Sequence, residues 1–174
     1  LIVFRDGEGR PGLLYPRWSP NALTGYGAPI PHYYPPGAAF APALIDFFIT
    51  NDPTLAVKLI YTAALCLAGA AVYALVARRS SAGSGVIAAL LYVYSPYVAL
   101  TAPHVLGDLP GVISLALIPA LLWNVDRLLR TNRPFDFPSV ALITAALLLT
   151  SIPAAFVGWL LALVIRVWDR PDHP

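Results

Sequence analysis

The sequence has no methionine, one cysteine and very few charges. With no Met, position 1 is not a natural start, and Leu1–Phe4 is too short for the apolar stretch of a signal peptide. The chain is therefore expected to be a piece of a longer protein, with further helices of that protein upstream and downstream. A lone Cys66 excludes an internal disulfide, and it lies inside an apolar run, where it suits a small packing residue. Charged residues make up 11% of the 174 residues, against about 25% in ordinary soluble domains. So few charges cannot cover the surface of a soluble protein of this size. A net charge of +2, with arginines at segment ends rather than in a patch, excludes a nucleic-acid partner. Signatures of soluble enzymes are missing too: no phosphate-cradling glycine loop, no Cys/His metal spacing and no nucleophile elbow.

What is present is apolar: 58% hydrophobic residues and a mean hydropathy of +0.69. These residues are gathered into long runs. Residues 1–36 read as an ordered, irregular loop. Its prolines forbid a long helix, while Tyr15, Trp18, Tyr26, Tyr33 and Tyr34 are uncommon in disordered chains. Residues 37–52 are apolar but too short to span a bilayer, and read as an interfacial or re-entrant helix. Asp52 then suits an N-cap, with Pro53 at the first helical position. Residues 53–168 form the transmembrane part, with spans at about 54–77, 85–101, 110–125, 137–150 and 153–167. The run from 137 to 165 is too long for one span, and Pro153 cannot continue a helical ladder. A hairpin of two helices broken at Ser151–Pro153 is expected, over one kinked span. The fold class is thus all-α, a polytopic helix bundle with an irregular N-terminal loop.

Arg78 and Arg79 fall in one short loop, and Arg127, Arg130 and Arg133 in the next loop but one. Loops enriched in Lys and Arg are cytoplasmic. The N-terminal loop, Lys58, His104, Asp108 and Ser151 are then expected at the outer, non-cytoplasmic face.

Three strings carry a resemblance: Leu14-Tyr15-Pro16-Arg17-Trp18-Ser19-Pro20, Gly25-Tyr26-Gly27-Ala28-Pro29 and His32-Tyr33-Tyr34-Pro35-Pro36. Tyr92, Pro96-Tyr97, Gly107-Asp108-Leu109-Pro110 and Leu149-Thr150-Ser151-Ile152-Pro153 extend it over nearly the whole chain. The chain resembles prokaryotic multi-pass proteins of the C-type (GT-C) glycosyltransferase-like superfamily. Within it, the likeness is to the group labelled "6-pyruvoyl-tetrahydropterin synthase-related membrane domain". It departs from that pattern at Leu106, Gly111 and Ser151, where the group often has Arg, Glu and His.

The resemblance implies an integral protein of the prokaryotic plasma membrane that transfers sugar from a polyprenyl-phosphate donor at the outer face. No cofactor and no metal ligand are read from the sequence, and a requirement for a divalent metal stays open. Such a reaction needs a carboxylate to take the acceptor proton, cations for the departing phosphate, and aromatic walls for sugar and lipid. Asp108, Asp6 and Glu8 are the candidate catalytic carboxylates, and Asp46 and Asp52 are further carboxylates on that side. Arg17, Trp18, His32, Tyr33, Tyr34, Lys58 and His104 are candidates for binding the donor. Each has a simpler role open to it. Asp108 suits a helix cap before Leu109-Pro110, and Asp6 and Glu8 suit solvated turns. Arg17 suits an ion pair or a stack on Trp18, and Lys58 suits a snorkelling side chain. Trp18, Tyr33 and Tyr34 suit an interfacial aromatic belt. The alternative function is a non-catalytic membrane protein, a transporter or an assembly scaffold. Transporters carry ionisable groups at mid-span, whereas here the span centres are nearly free of charge.

Overall fold

The computed structural model describes Thr24, Tyr26, Gly27 and residues 35–131 and 133–168. Among these residues there are six α-helices, two π-helical segments and no strand. The chain divides into two compact units, Leu1–Ile60 and Tyr61–Pro174.

In the first unit, α1 (Gly37–Ile45) runs directly into a π-helical segment, Asp46–Thr50. Asn51 ends it in the left-handed region at φ 51°, its N–H donating to the Asp46 carbonyl five residues back at 2.9 Å. Asp52 then caps α2 (Pro53–Arg79): its Oδ1 accepts from the Thr54 N–H at 2.9 Å. Pro53 sits where a helix has no use for an N–H. Tyr26 is 84% exposed. An exposed phenol is tolerated where it meets a membrane interface, whose aromatic belts tyrosine favours.

The second unit begins inside α2. Among the described residues, three stretches are long and apolar enough to cross a bilayer: Pro53–Arg79, Ala82–Val105 and Leu109–Thr131. The first follows the sequence reading closely. The other two differ from the expected 85–101 and 110–125. Ser81 caps α3 (Ala82–Val93), accepting from the Ser84 N–H at 3.2 Å, so the connecting loop is shorter than residues 80–84. The second crossing is broken at Tyr94–Pro96 and resumes as a π-helical segment, Tyr97–Val105, where a loop from Ala102 was expected. Pro96 has no N–H to donate, and its carbonyl accepts from the Thr101 hydroxyl at 3.2 Å. The Leu106 N–H reaches back to the Thr101 carbonyl at 2.9 Å. Gly107, at φ 61°, provides the left-handed turn that Leu106 could not make cheaply.

The third crossing, α4 (Leu109–Thr131), continues past Val125 through Asp126, Arg127 and Arg130. Charge limits the apolar span but does not end a helix whose charged side chains find partners. Two further helices follow, α5 (Asp136–Thr150) and α6 (Ile152–Trp168), of 15 and 17 residues. At about 1.5 Å per residue each falls short of the roughly 30 Å hydrocarbon core. Between them Ser151 is extended, at φ −160° and ψ 111°. Its carbonyl and hydroxyl accept from the Ala155 and Ala154 N–H groups at 3.1 and 3.4 Å, starting α6 with Pro153 in its first turn.

Side-chain contacts fix the direction of each helix. Ser139 of α5 bonds Asn124 of α4, and Leu147 packs on Leu121, so α5 runs antiparallel to α4. A Cβ on Gly158 would lie 3.1 Å from Leu121, while Ala162 and Arg166 lie beside Val125 and Arg130. Hence α6 returns parallel to α4, and the two short helices form a hairpin whose turn lies towards the start of α4.

Small residues draw the helices together, as is usual where lipid gives no hydrophobic drive for association. Ala64 and Ala68 of α2 pack on Ala102, Val112 and Ala116. At Gly85 a Cβ would come 2.9 Å from the Ala77 Cβ and 3.1 Å from the Tyr73 carbonyl oxygen, so α3 approaches α2 only because glycine stands there. The central helix is α4, with 44% of its apolar window buried, against 17% for the other two crossings. The outer faces carry Ile87, Leu91, Leu142, Phe156 and Leu163, all exposed. Such apolar surface is a liability in water and suits a lipid environment.

Candidate functional site

The bundle has two chemically different ends. At the start of α4, Asp108 follows Gly107 and caps the helix. Its Oδ1 accepts from the Gly111 N–H at 3.0 Å, and its carbonyl from the Val112 N–H at 3.0 Å. The Asp108 Oδ2 has no hydrogen bond among the described residues. Glycine at 111 permits this pose: a Cβ there would lie 2.7 Å from the Asp108 Cγ. Asp108 is half-buried and within electrostatic reach of the Tyr61 phenol on α2. His104 is exposed on the π-helical segment, one turn before it. Of the candidate residues, the structure thus brings His104 and Asp108 to one end of the second unit. Lys58 is exposed on α2 in the first unit. Asp46, also in that unit, is only 4% exposed, and its Oδ1 has no hydrogen-bond partner among the described residues. Asp6, Glu8, Arg17, Trp18, His32, Tyr33 and Tyr34 lie outside the described residues.

The other end holds a polar network that the sequence reading reduced to topology signals. Asp136 is 2% exposed; one oxygen pairs with Arg127 and the other accepts from the Thr131 hydroxyl at 2.7 Å. Asp126, also buried, receives Arg79 Nη2 at 2.8 Å and Arg130 Nε at 3.0 Å, both on Oδ1. Arg127 and Arg78 lie over the Trp123 ring, at 5.0 and 5.9 Å from its centroid. Asn124 donates to the Ala120 carbonyl at 2.8 Å and accepts from Ser139 at 2.8 Å. The Asp126/Arg130 spacing of four residues was legible as a helical ion pair. The link from Asp126 to Arg79, 47 positions away in the chain, was not.

One part-buried contact ties the second and third crossings together. Pro119 lies inside α4 and has no N–H to offer the Leu115 carbonyl four residues back. The Tyr92 hydroxyl of α3 donates to that carbonyl at 2.7 Å. A bilayer has no water to serve the orphaned acceptor, so the tyrosine supplies from a neighbouring helix what proline removed.

Residues 32–169 match the model of a protein family described as "6-pyruvoyl-tetrahydropterin synthase related domain; membrane protein". No curated protein and no solved structure matches the chain.

Proposed function

Because this chain belongs to the family of 6-pyruvoyl-tetrahydropterin synthase related membrane domains, we propose that it is a membrane-embedded glycosyltransferase-like protein working on a polyprenyl-phosphate sugar. Transfer takes place at the end of the bundle opposite the arginines, which is the outer face of the plasma membrane. The acceptor hydroxyl attacks the anomeric carbon as the bond from that carbon to the phosphate oxygen breaks. Polyprenyl phosphate leaves, and a carboxylate collects the acceptor proton. Asp108 is that carboxylate, with Asp6 and Glu8 as further candidates. Lys58 and Arg17 offset charge on the phosphate, while Trp18, His32, Tyr33, Tyr34 and His104 shape the site for sugar and lipid.

The observation that supports this reading is the state of Asp108. One of its oxygens is held by the first turn of α4, which fixes the carboxyl, while Oδ2 carries no bond among the described residues. A fixed carboxylate with one available oxygen, beside a phenol and an exposed imidazole, suits proton transfer at a membrane surface. The cap itself favours the second reading, a non-catalytic transporter or scaffold in which Asp108 only starts a helix.

Asp108→Asn separates the two. Asparagine caps helices about as well as aspartate but cannot take up a proton as a carboxylate does. In membranes supplied with polyprenyl-phosphate sugars, the variant of the full-length protein should express normally and lose transfer by about 100-fold or more. Unchanged transfer would remove Asp108 from the mechanism. No transfer by the unaltered protein with any such donor would favour the scaffold.

A further inference from the structure

Between Gly37 and Thr50 the only charged residue is Asp46, and it faces away from the large apolar side chains beside it. Asp46 is 4% exposed, while the next three residues, Phe47, Phe48 and Ile49, are 58%, 74% and 71% exposed. Leu44, one turn earlier, is exposed as well. From this inversion we propose that the Phe47–Ile49 ridge inserts into the interfacial layer of the lipid bilayer, so that α1 and the π-helical segment after it lie along the membrane surface.

Polarity is the first argument. A helix bathed in water turns its charge outward and its rings inward. Here the arrangement is reversed, which suits a face whose solvent is lipid. Phe47 and Phe48 stand edge to face, with ring centroids 5.0 Å apart and planes at 88°, so the two rings are presented together. Leu55 and Leu59, four residues apart near the start of α2 and so on one side of it, are exposed too. Large apolar side chains thus stand outward on both sides of the Asn51–Asp52 turn, and those on α2 belong to a helix that crosses the bilayer.

Depth is the second argument. At nine and five residues, α1 and the π-helical segment rise about 21 Å at roughly 1.5 Å per residue, less than the roughly 30 Å hydrocarbon core. They cannot cross. Nor can they dip deeply and lead straight into α2, because the turn between would follow them into hydrocarbon. That turn is polar and exposed: Asn51, and Asp52, whose carboxylate caps α2. A carboxylate is costly at that depth. Only these two residues separate Thr50 from Pro53, where the crossing begins, so the ridge is held close to the headgroups. The apolar face of an interfacial helix is buried about 5–10 Å into the boundary between headgroups and acyl chains. The assignment needs neither the sugar transfer proposed above nor a choice of which membrane side is outer.

The test is a depth measurement by spin labelling. The full-length protein, with its own cysteines removed (Cys66→Ala among them), carries Phe48→Cys and a nitroxide, and is reconstituted in phosphatidylcholine vesicles. Collisions with oxygen, which concentrates in hydrocarbon, are compared with collisions with a water-soluble nickel chelate. Two further labels calibrate the scale: Leu67→Cys, exposed midway along α2, and Ser80→Cys, exposed just past its end. The label at 48 should favour oxygen and lie about 5–10 Å below the phosphates, shallower than that at 67. Ile49→Cys should give the same depth, and it serves as a second reading should Phe48→Cys not fold. A label as open to nickel as that at 80 would place the ridge in water. One as deep as that at 67 would make the segment re-entrant, and one shielded from both reagents would mean that protein, a partner or a second copy, covers it. Each of these three results overturns the proposal.

Discussion

Removing the Tyr92 hydroxyl should destabilise the bundle, and removing Pro119 should abolish most of that cost. The Tyr92 O–H donates to the Leu115 carbonyl at 2.7 Å, an acceptor left vacant because Pro119 has no N–H. A lost neutral bond is worth roughly 0.5–1.5 kcal/mol, and leaving the acceptor buried and unpaired costs roughly 1–3 kcal/mol. Bonds between membrane helices lie towards the lower figures, averaging about 0.6 and reaching about 1.7 kcal/mol. Tyr92→Phe should therefore cost about 1–1.5 kcal/mol. In a Pro119→Ala background the new alanine N–H can bond Leu115 within α4, and the same Tyr92→Phe change should cost no more than about 0.5 kcal/mol. The coupling of the cycle, near 1 kcal/mol, corresponds to about a fivefold change in the unfolding constant. Reversible unfolding of the four proteins in mixed micelles, followed by circular dichroism, measures it. If Tyr92→Phe costs the same in both backgrounds, the tyrosine is not serving the orphaned carbonyl and the argument fails.

Gly85→Ala places a methyl 2.9 Å from Ala77 Cβ and 3.1 Å from the Tyr73 carbonyl oxygen. It should push α3 off α2 and lower stability by about 1–3 kcal/mol, seen as a lower unfolding midpoint; an unchanged midpoint would mean that the two helices do not approach so closely. Ser81→Cys, with Cys66 replaced by Ala, should resist an impermeant thiol reagent in intact cells and react once the membrane is opened. Ready labelling of intact cells would invert the assignment of the arginine end to the cytoplasm.

Composition and the length of the apolar runs were enough to give an all-α membrane bundle. Charged residues at only 11% leave the chain no means of making a soluble surface. Local chemistry marked the Asp52–Pro53 start of α2, because a cap and its proline are neighbours in sequence. It failed where side chains far apart in the chain decide the outcome. The reading ended the third crossing at Val125, yet α4 continues to Thr131, because Asp126 is held by Arg79 from another helix and Arg127 pairs with Asp136 beyond the loop. The second crossing was taken as regular, and Pro96 breaks it into an α-helix and a π-helical segment. At the candidate site, Asp108 was legible both as a cap and as a catalytic carboxylate, and the cap is present in the structure.

The sequence by itself determined how many apolar stretches there are and at which end of them the arginines lie, since the bilayer imposes length and charge rules on each segment separately. Only the tertiary structure decided which groups meet. Tyr92 finds Leu115 across 23 residues of chain, and Arg79 finds Asp126 across 47. The carbonyl orphaned by Pro119 has no donor in its own helix, and the carboxylate of Asp126 takes a second guanidinium, from Arg79, besides that of Arg130 in its own helix; only packing could bring those neighbours there.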